Sequence, residues 1–139
     1  MTRIRKKGVA IVESEKGILV VAGRRKVFAL PGGGADKGES RKKAAMRELR
    51  EETGLWTKKT KYLFSYKGYQ WHDNKGRRVV NHAKVFLIKA SGRLRPRHEI
   101  KSVAHWKPGS KVNISKRTER LIMKYLKMKN YPKNSTILL

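Results

Sequence analysis

The chain has no cysteine, few acidic residues and no long apolar run. Without cysteine there is no disulfide framework, no thiolate metal site and no cysteine nucleophile, which suits a reducing compartment. We therefore expect a cytoplasmic protein. Near the N-terminus the apolar stretch from Gly8 to Val12 is stopped by Glu13, Glu15 and Lys16, too soon for a secretion signal, and no segment reads as a membrane span. Acid is scarce: 10 Asp and Glu stand against 36 Lys and Arg, giving a formal net charge of +26. A field of that sign attracts polyanions, nucleotides and RNA among them, without choosing between them. A chain of 139 residues suits one domain with its own core, taken here as residues 1–130 with a C-terminal tail at 131–139.

The scarce acid is not spread evenly. Five of the ten acidic residues, Asp36, Glu39, Glu48, Glu51 and Glu52, fall between Gly33 and Leu55. Ser40 is a suitable N-cap and Gly54 a suitable left-handed C-terminal stop, so the intervening residues read as a helix. On its wheel Ala44, Arg47, Glu48, Glu51 and Glu52 fill one arc and Ala45, Met46, Leu49 and Thr53 the next, with Lys43 and Arg50 toward solvent. Residues three and four apart share a face, so the three glutamates converge, and Arg47 is placed to pair with Glu51 and orient it. Carboxylates so close repel unless they share a cation. A hard divalent ion such as Mg2+, with Mn2+ as the alternative, takes oxygen ligands and commonly bridges carboxylates to substrate phosphates. Gly32, Gly33 and Gly34, just before the helix, let backbone pass close to a ligand.

Gly33, five residues, Glu39, seven residues and then Arg47-Glu48-Leu49-Arg50-Glu51-Glu52-Thr53-Gly54-Leu55 resembles a complete Nudix box. Seven fixed identities and two apolar positions would meet by chance on the order of once in a hundred million windows of average composition. The resemblance implies an α/β fold, an α/β/α sandwich with a mixed β-sheet and a loop-helix-loop catalytic motif, over about residues 3–130. It implies Mg2+-dependent hydrolysis of a diphosphate in a nucleoside diphosphate linked to another moiety. On that resemblance Glu48, Glu51, Glu52 and the Gly33 carbonyl are the metal ligands. One of these three glutamates serves as base through a bound water, Arg47 orients the carboxylates, and Glu39 is structural. A further acid outside the box often takes part in such proteins, and Glu99 is the best placed, ahead of Asp73 and Glu119.

The flanks read as strands with turns. Ile4–Val12 and Ile18–Ala22 are expected to form an antiparallel pair about the turn Glu13–Gly17, and Val27–Leu30 a short extended run into the glycines. Thr60–Tyr69 and Arg77–Lys89 are strands joined by the hairpin turn Asp73-Asn74-Lys75-Gly76, and a last strand ends at His105-Trp106. Ser115–Lys129 is a helix with Leu121, Ile122, Tyr125 and Met128 on one face and a basic opposite face. Arg24 and Arg25 are candidates for substrate phosphates, and Tyr66, Tyr69 and Trp71 for a nucleobase platform. His72, His82, His98 and His105 lack a metal-ligand spacing and receive no role.

The box itself selects no substrate. Absence of proline between Leu55 and Pro96 argues against the ADP-ribose group, no coenzyme A signature is present, and Tyr69 is an ambiguous cue for diadenosine polyphosphates. The leading expectation is a pyrophosphohydrolase of nucleoside triphosphates, oxidised ones among them. Alternatives are processing of RNA 5′ ends, triphosphate or cap, which the surplus positive charge would favour, and a non-catalytic module that binds nucleotide or RNA.

Overall fold

Ser40 and Gly54 set the limits of helix α1, Arg41–Thr53. The Ser40 hydroxyl accepts the Lys43 backbone N–H, and Gly54, at φ 79°, takes the left-handed cap and donates its own N–H to the Arg50 carbonyl. The structure is a computed structural model that describes the backbone of residues 2–138 and the side chains of residues 2–130. Around α1 the chain forms strands β1 (Thr2–Ile11), β2 (Glu13–Ser14), β3 (Gly17–Ala22), β4 (Gly32–Gly34), β5 (Trp56–His72), β6 (Arg78–Ser91) and β7 (Ser102–Trp106), and ends in helix α2 (Lys116–Leu138).

The strands make two sheets. One is mixed, in the order β4-β1-β6-β5, with β1 parallel to β6 and the other pairs antiparallel; the second is β2-β3-β7 and antiparallel throughout. The expected pairing of Ile4–Val12 with Ile18–Ala22 is therefore corrected. The second half of β1 is buried, as is the whole of β3, and a strand covered on both faces sits inside a sheet with neighbours on each edge. Each strand finds those neighbours elsewhere in the chain, and the Val12–Lys16 stretch carries the chain from one sheet to the other.

Two apolar clusters hold the layers together. Ala45 and Leu49 of α1 pack with Ala10, Leu19, Phe86 and Ile88. On the opposite side Ile122 and Tyr125 of α2 pack with Val9, Ile11, Val20, Val85 and Trp106. Adjacent strand residues such as Leu19 and Val20 feed opposite clusters, as the two-residue period of a strand requires. The sheets thus lie between α1 and α2, the α/β sandwich expected. The hairpin is longer than its sequence pattern, and three register shifts in β5 against β6 explain why its alternation reads poorly. Ser115 caps α2 through the Thr118 backbone N–H, and the helix continues past Lys129 to Leu138, through residues read from sequence as tail. The side chains of residues 131–139 lie outside the described residues. Among the described residues no helix is long and apolar enough to cross a membrane.

Candidate active site

The three glutamates of α1 leave the helix in graded environments. Glu52 is buried at 7% exposure, the Glu48 side chain is 16% exposed and that of Glu51 45%. The inner two meet the glycine strand β4. Glu52 accepts the Gly32 backbone N–H at 3.0 Å. The Glu48 carboxyl lies so close to Gly33 that a Cβ there would stand 2.6 Å from Glu48 Cδ and 2.8 Å from its Oε1. Only glycine leaves this carboxylate its place.

Arg47 ties the loop before the helix to the helix itself. Its guanidinium donates to both Glu39 oxygens at 2.9 and 3.0 Å, to the Gly34 carbonyl at 3.0 Å, to Glu48 at 2.9 Å and to Glu51 at 3.3 Å. Glu39 in turn accepts the Asp36 backbone N–H at 2.9 Å. The pairing with Glu51 expected from spacing is present, but the tighter partners are Glu39 and Glu48. Glu39 fixes the loop, and Arg47 uses that fixed point to orient the carboxylates.

The electrostatics follow from burial and charge. Hydrogen bonds from Arg47 hold Glu39 below the usual carboxylate range, and the same bonds raise Arg47 further. Burial raises Glu48 despite Arg47. Burial pushes Glu52 up to about 7, against the Gly32 N–H, with the charges of Glu48 and Glu99 adding to the rise and Lys7 opposing it. Glu99 is thus brought within electrostatic reach of Glu48 and Glu52, although it lies 47 positions beyond the latter (99 − 52). Its loop is docked on the end of α1: the backbone N–H groups of Arg95 and Arg97 donate to the carbonyls of Thr53 and Glu52, both at 3.0 Å.

A basic wall faces these acids. Lys7 of β1 is half-buried, and its ammonium senses Arg5 and Arg117 as well as Glu52 and Glu48; burial, then the two arginines, lower its pKa. Arg5 donates to Asn81 at 3.5 Å, and its guanidinium lies against Gly34. Sequence reasoning missed Arg5, Lys7, Asn81 and Arg117. A signal was present in β1, where Arg5, Lys7, Val9 and Ile11 share one face by the two-residue period, so a core-facing stripe begins with two cations. Beside this wall, Tyr69 and Trp71 stack at 5.9 Å between centroids and 18° between planes, and the Arg117 guanidinium lies 5.9 Å from the Tyr69 ring. Tyr66 packs at the edge of the core, its hydroxyl pKa raised by burial. Arg24 and Arg25 are exposed in the turn after β3 and, among the described residues, form neither an ion pair nor a side-chain hydrogen bond.

Glu48, Glu51, Glu52 and the Gly33 carbonyl supply only oxygen donors, the chemistry a hard divalent ion requires. Glu48 lies against the Gly33 backbone, and burial raises both Glu48 and Glu52, a cost to their charged forms that a bound cation would relieve. The donor set fits a divalent cation. Among the described residues no three acidic or histidine side chains already form a ready-made metal cluster, and Arg47 holds Glu48 and Glu51, so a cation must compete with that guanidinium.

A mixed sheet thus lies between two helices, with carboxylates of one helix set against a glycine strand and within electrostatic reach of Lys7. The NUDIX domain family model matches residues 3–125. A crystal structure of a nudix hydrolase family member from Chromobacterium violaceum is 33% identical, covers 91% of this chain and 79% of that one, and superposes with a TM-score of 0.74. The chain belongs to the Nudix family of hydrolases, which generally need a divalent metal. More distant likenesses agree in fold. The MutT NUDIX hydrolase of Burkholderia pseudomallei is 22% identical with TM-score 0.71, covering 87% of this chain and 97% of that one. The NUDIX domain of Shewanella oneidensis NrtR, crystallised with ADP ribose, is 16% identical with TM-score 0.65, covering 92% and 88%. No curated protein matches the chain.

Proposed function

We propose that the protein is a Mg2+-dependent pyrophosphohydrolase of nucleoside triphosphates, oxidised ones among them, releasing pyrophosphate and a monophosphate. The observation that supports this reading is that Lys7, itself close to Arg5 and Arg117, lies within electrostatic reach of Glu52 and of the Arg47-ordered Glu48. Glu48, Glu51, Glu52 and the Gly33 carbonyl would hold the metal. When bound, Mg2+ neutralises the diphosphate and makes a coordinated water a stronger nucleophile. Lys7 and Arg5 bind the phosphate oxygens that the metal leaves free, Arg117 extends this grip, and the Tyr69–Trp71 stack offers an aromatic face to the base. Glu51 or Glu52 receives the proton of the attacking water, and Glu99, the remaining acid within reach, adds to the negative side of the cleft. A cysteine-free chain suits the cytoplasm, where such nucleotides are found.

The test is chromatographic analysis of the products formed with Mg2+ or Mn2+ from canonical and oxidised nucleoside triphosphates, ADP-ribose, diadenosine polyphosphates and 5′-triphosphorylated RNA, a monophosphate with pyrophosphate being expected from the triphosphates. Glu52→Gln serves as control: it should lower kcat at least about 100-fold with little change in thermal stability. Turnover of ADP-ribose alone, or full activity of Glu52→Gln, would overturn the reading.

A further inference from the structure

Next to the carboxylates, between α1 and the start of β5, lies an open groove of about 420 Å³ lined by Lys43, Met46, Arg50, Trp56 and Thr57 and bordered by Arg47 and Glu39. The Trp56 ring is 59% exposed, and the Arg50 guanidinium sits 3.8 Å from its centroid. Farther along the same strand Tyr62 is 51% exposed, with the Lys84 ammonium 5.6 Å from its ring. Tyr62 lies six positions beyond Trp56, roughly 20 Å along the strand backbone. Between them Lys58, Lys59 and Lys61 are exposed, and β5 forms an outer edge of its sheet.

Packing does not account for this strip. Two large rings held in solvent forfeit the burial that usually places them in a core, and each is instead covered by a cation on one side. Flat aromatic surface at intervals, interleaved with positive charge, fits a flexible polyanion with flat groups along it. We propose that this strip binds single-stranded nucleic acid, bases stacking on Trp56 and Tyr62 while Arg50, Lys84 and the β5 lysines hold the backbone phosphates. A duplex hides its base faces, and an acidic peptide would use the charge but leave the rings idle. The strip meets the cleft only at Arg47 and Glu39, so it does not rest on which nucleotide is hydrolysed.

Binding of a short fluorescent oligouridylate, its DNA counterpart and a duplex of equal length to the whole protein, without divalent metal, tests this. Single strands should bind more tightly than the duplex, and more weakly as salt rises. Trp56→Ala and Tyr62→Ala should each weaken binding on the order of tenfold, with Trp56→Phe retaining most of it. Both alanine variants should keep the parent's melting temperature and its turnover of free nucleotide. Glu52→Gln should bind like the parent, which separates this surface from the hydrolytic site. Unchanged affinity in both alanine variants, equal affinity for the duplex, or no binding at low salt would overturn it.

Discussion

Replacing Gly33 by alanine tests the site at its tightest point. The new Cβ would stand 2.6 Å from Glu48 Cδ, whereas ordinary carbon contact begins near 3.5 Å. The Glu48 carboxyl must therefore retreat by about 0.9 Å. Gly33 is not among the glycines with positive φ, so alanine meets no backbone strain, and the atoms that yield belong to the end of a flexible side chain. An off-rotamer Glu48 costs about 1 kcal/mol, and the loss of glycine freedom in the unfolded chain returns a similar amount. We expect a melting temperature within a few degrees of the parent. Misplacement of a reacting group by about 1 Å can cost on the order of 100-fold in rate, and that loss should appear in kcat/KM for the best nucleoside triphosphate. Gly38→Ala is the contrast: φ is 77° with nothing within 4 Å, so it should cost about 1–2 kcal/mol of stability and no activity. Parental kcat/KM in Gly33→Ala would mean that Glu48 is not needed where it stands. A collapse in stability would mean that Glu48 cannot yield.

Lys7→Met removes a charge from the basic wall without altering the glutamates, so KM for the triphosphate should rise about tenfold or more and kcat change less, as read from steady-state kinetics. The Tyr125 hydroxyl donates to Glu13 at 2.5 Å and Lys129 pairs with it at 2.9 Å. Burial opposes the charge of Glu13, but these two partners outweigh it and hold the carboxyl below its ordinary 4.5. A depressed carboxylate stabilises the fold above 4.5 and loses that contribution as pH falls through the lower folded value. Tyr125→Phe should therefore cost about 1–2 kcal/mol near neutral pH and flatten the decline of stability below pH 4.5, followed by thermal melts from pH 7 to 3. Leu49→Ala, at a position with 0% exposure in the cluster under α1, should cost about 2–5 kcal/mol in denaturant unfolding.

What could be read from sequence follows how local the cause was. Helix α1 was legible to its caps because Ser40 and Gly54 act within a few residues of themselves, and the shared face of Glu48, Glu51 and Glu52 follows from the pitch of a helix, although among the described residues the three carboxylates do not gather into a ready-made metal cluster. Pairing of β1 was misread because the choice of partner lies far along the chain: β6 runs parallel to β1 along its whole length and approaches it only after α1 and β5 have been laid down. The bulges in β5 blurred its alternation for a similar reason, since an extra residue is visible only against its partner strand.

The site divides in the same way. Its acidic half lies on one helix and shows itself as a motif; its basic half comes from Arg5 and Lys7 on β1 and Arg117 on α2, joined only by the fold. In a chain with 36 basic residues, the period of β1 points to Arg5 and Lys7 only once its partner is known, and nothing in the sequence singles out Arg117 over Arg24 and Arg25. Burial gives a reason for Lys7: a lysine that gives up water beside Glu52 and Glu48 pays in solvation for a position that the acids, or a phosphate, can offset. The charge that surrounds the molecule is therefore a poor guide to the site, and Lys7, the half-buried cation beside these acids, is the one by which substrate choice should be altered first.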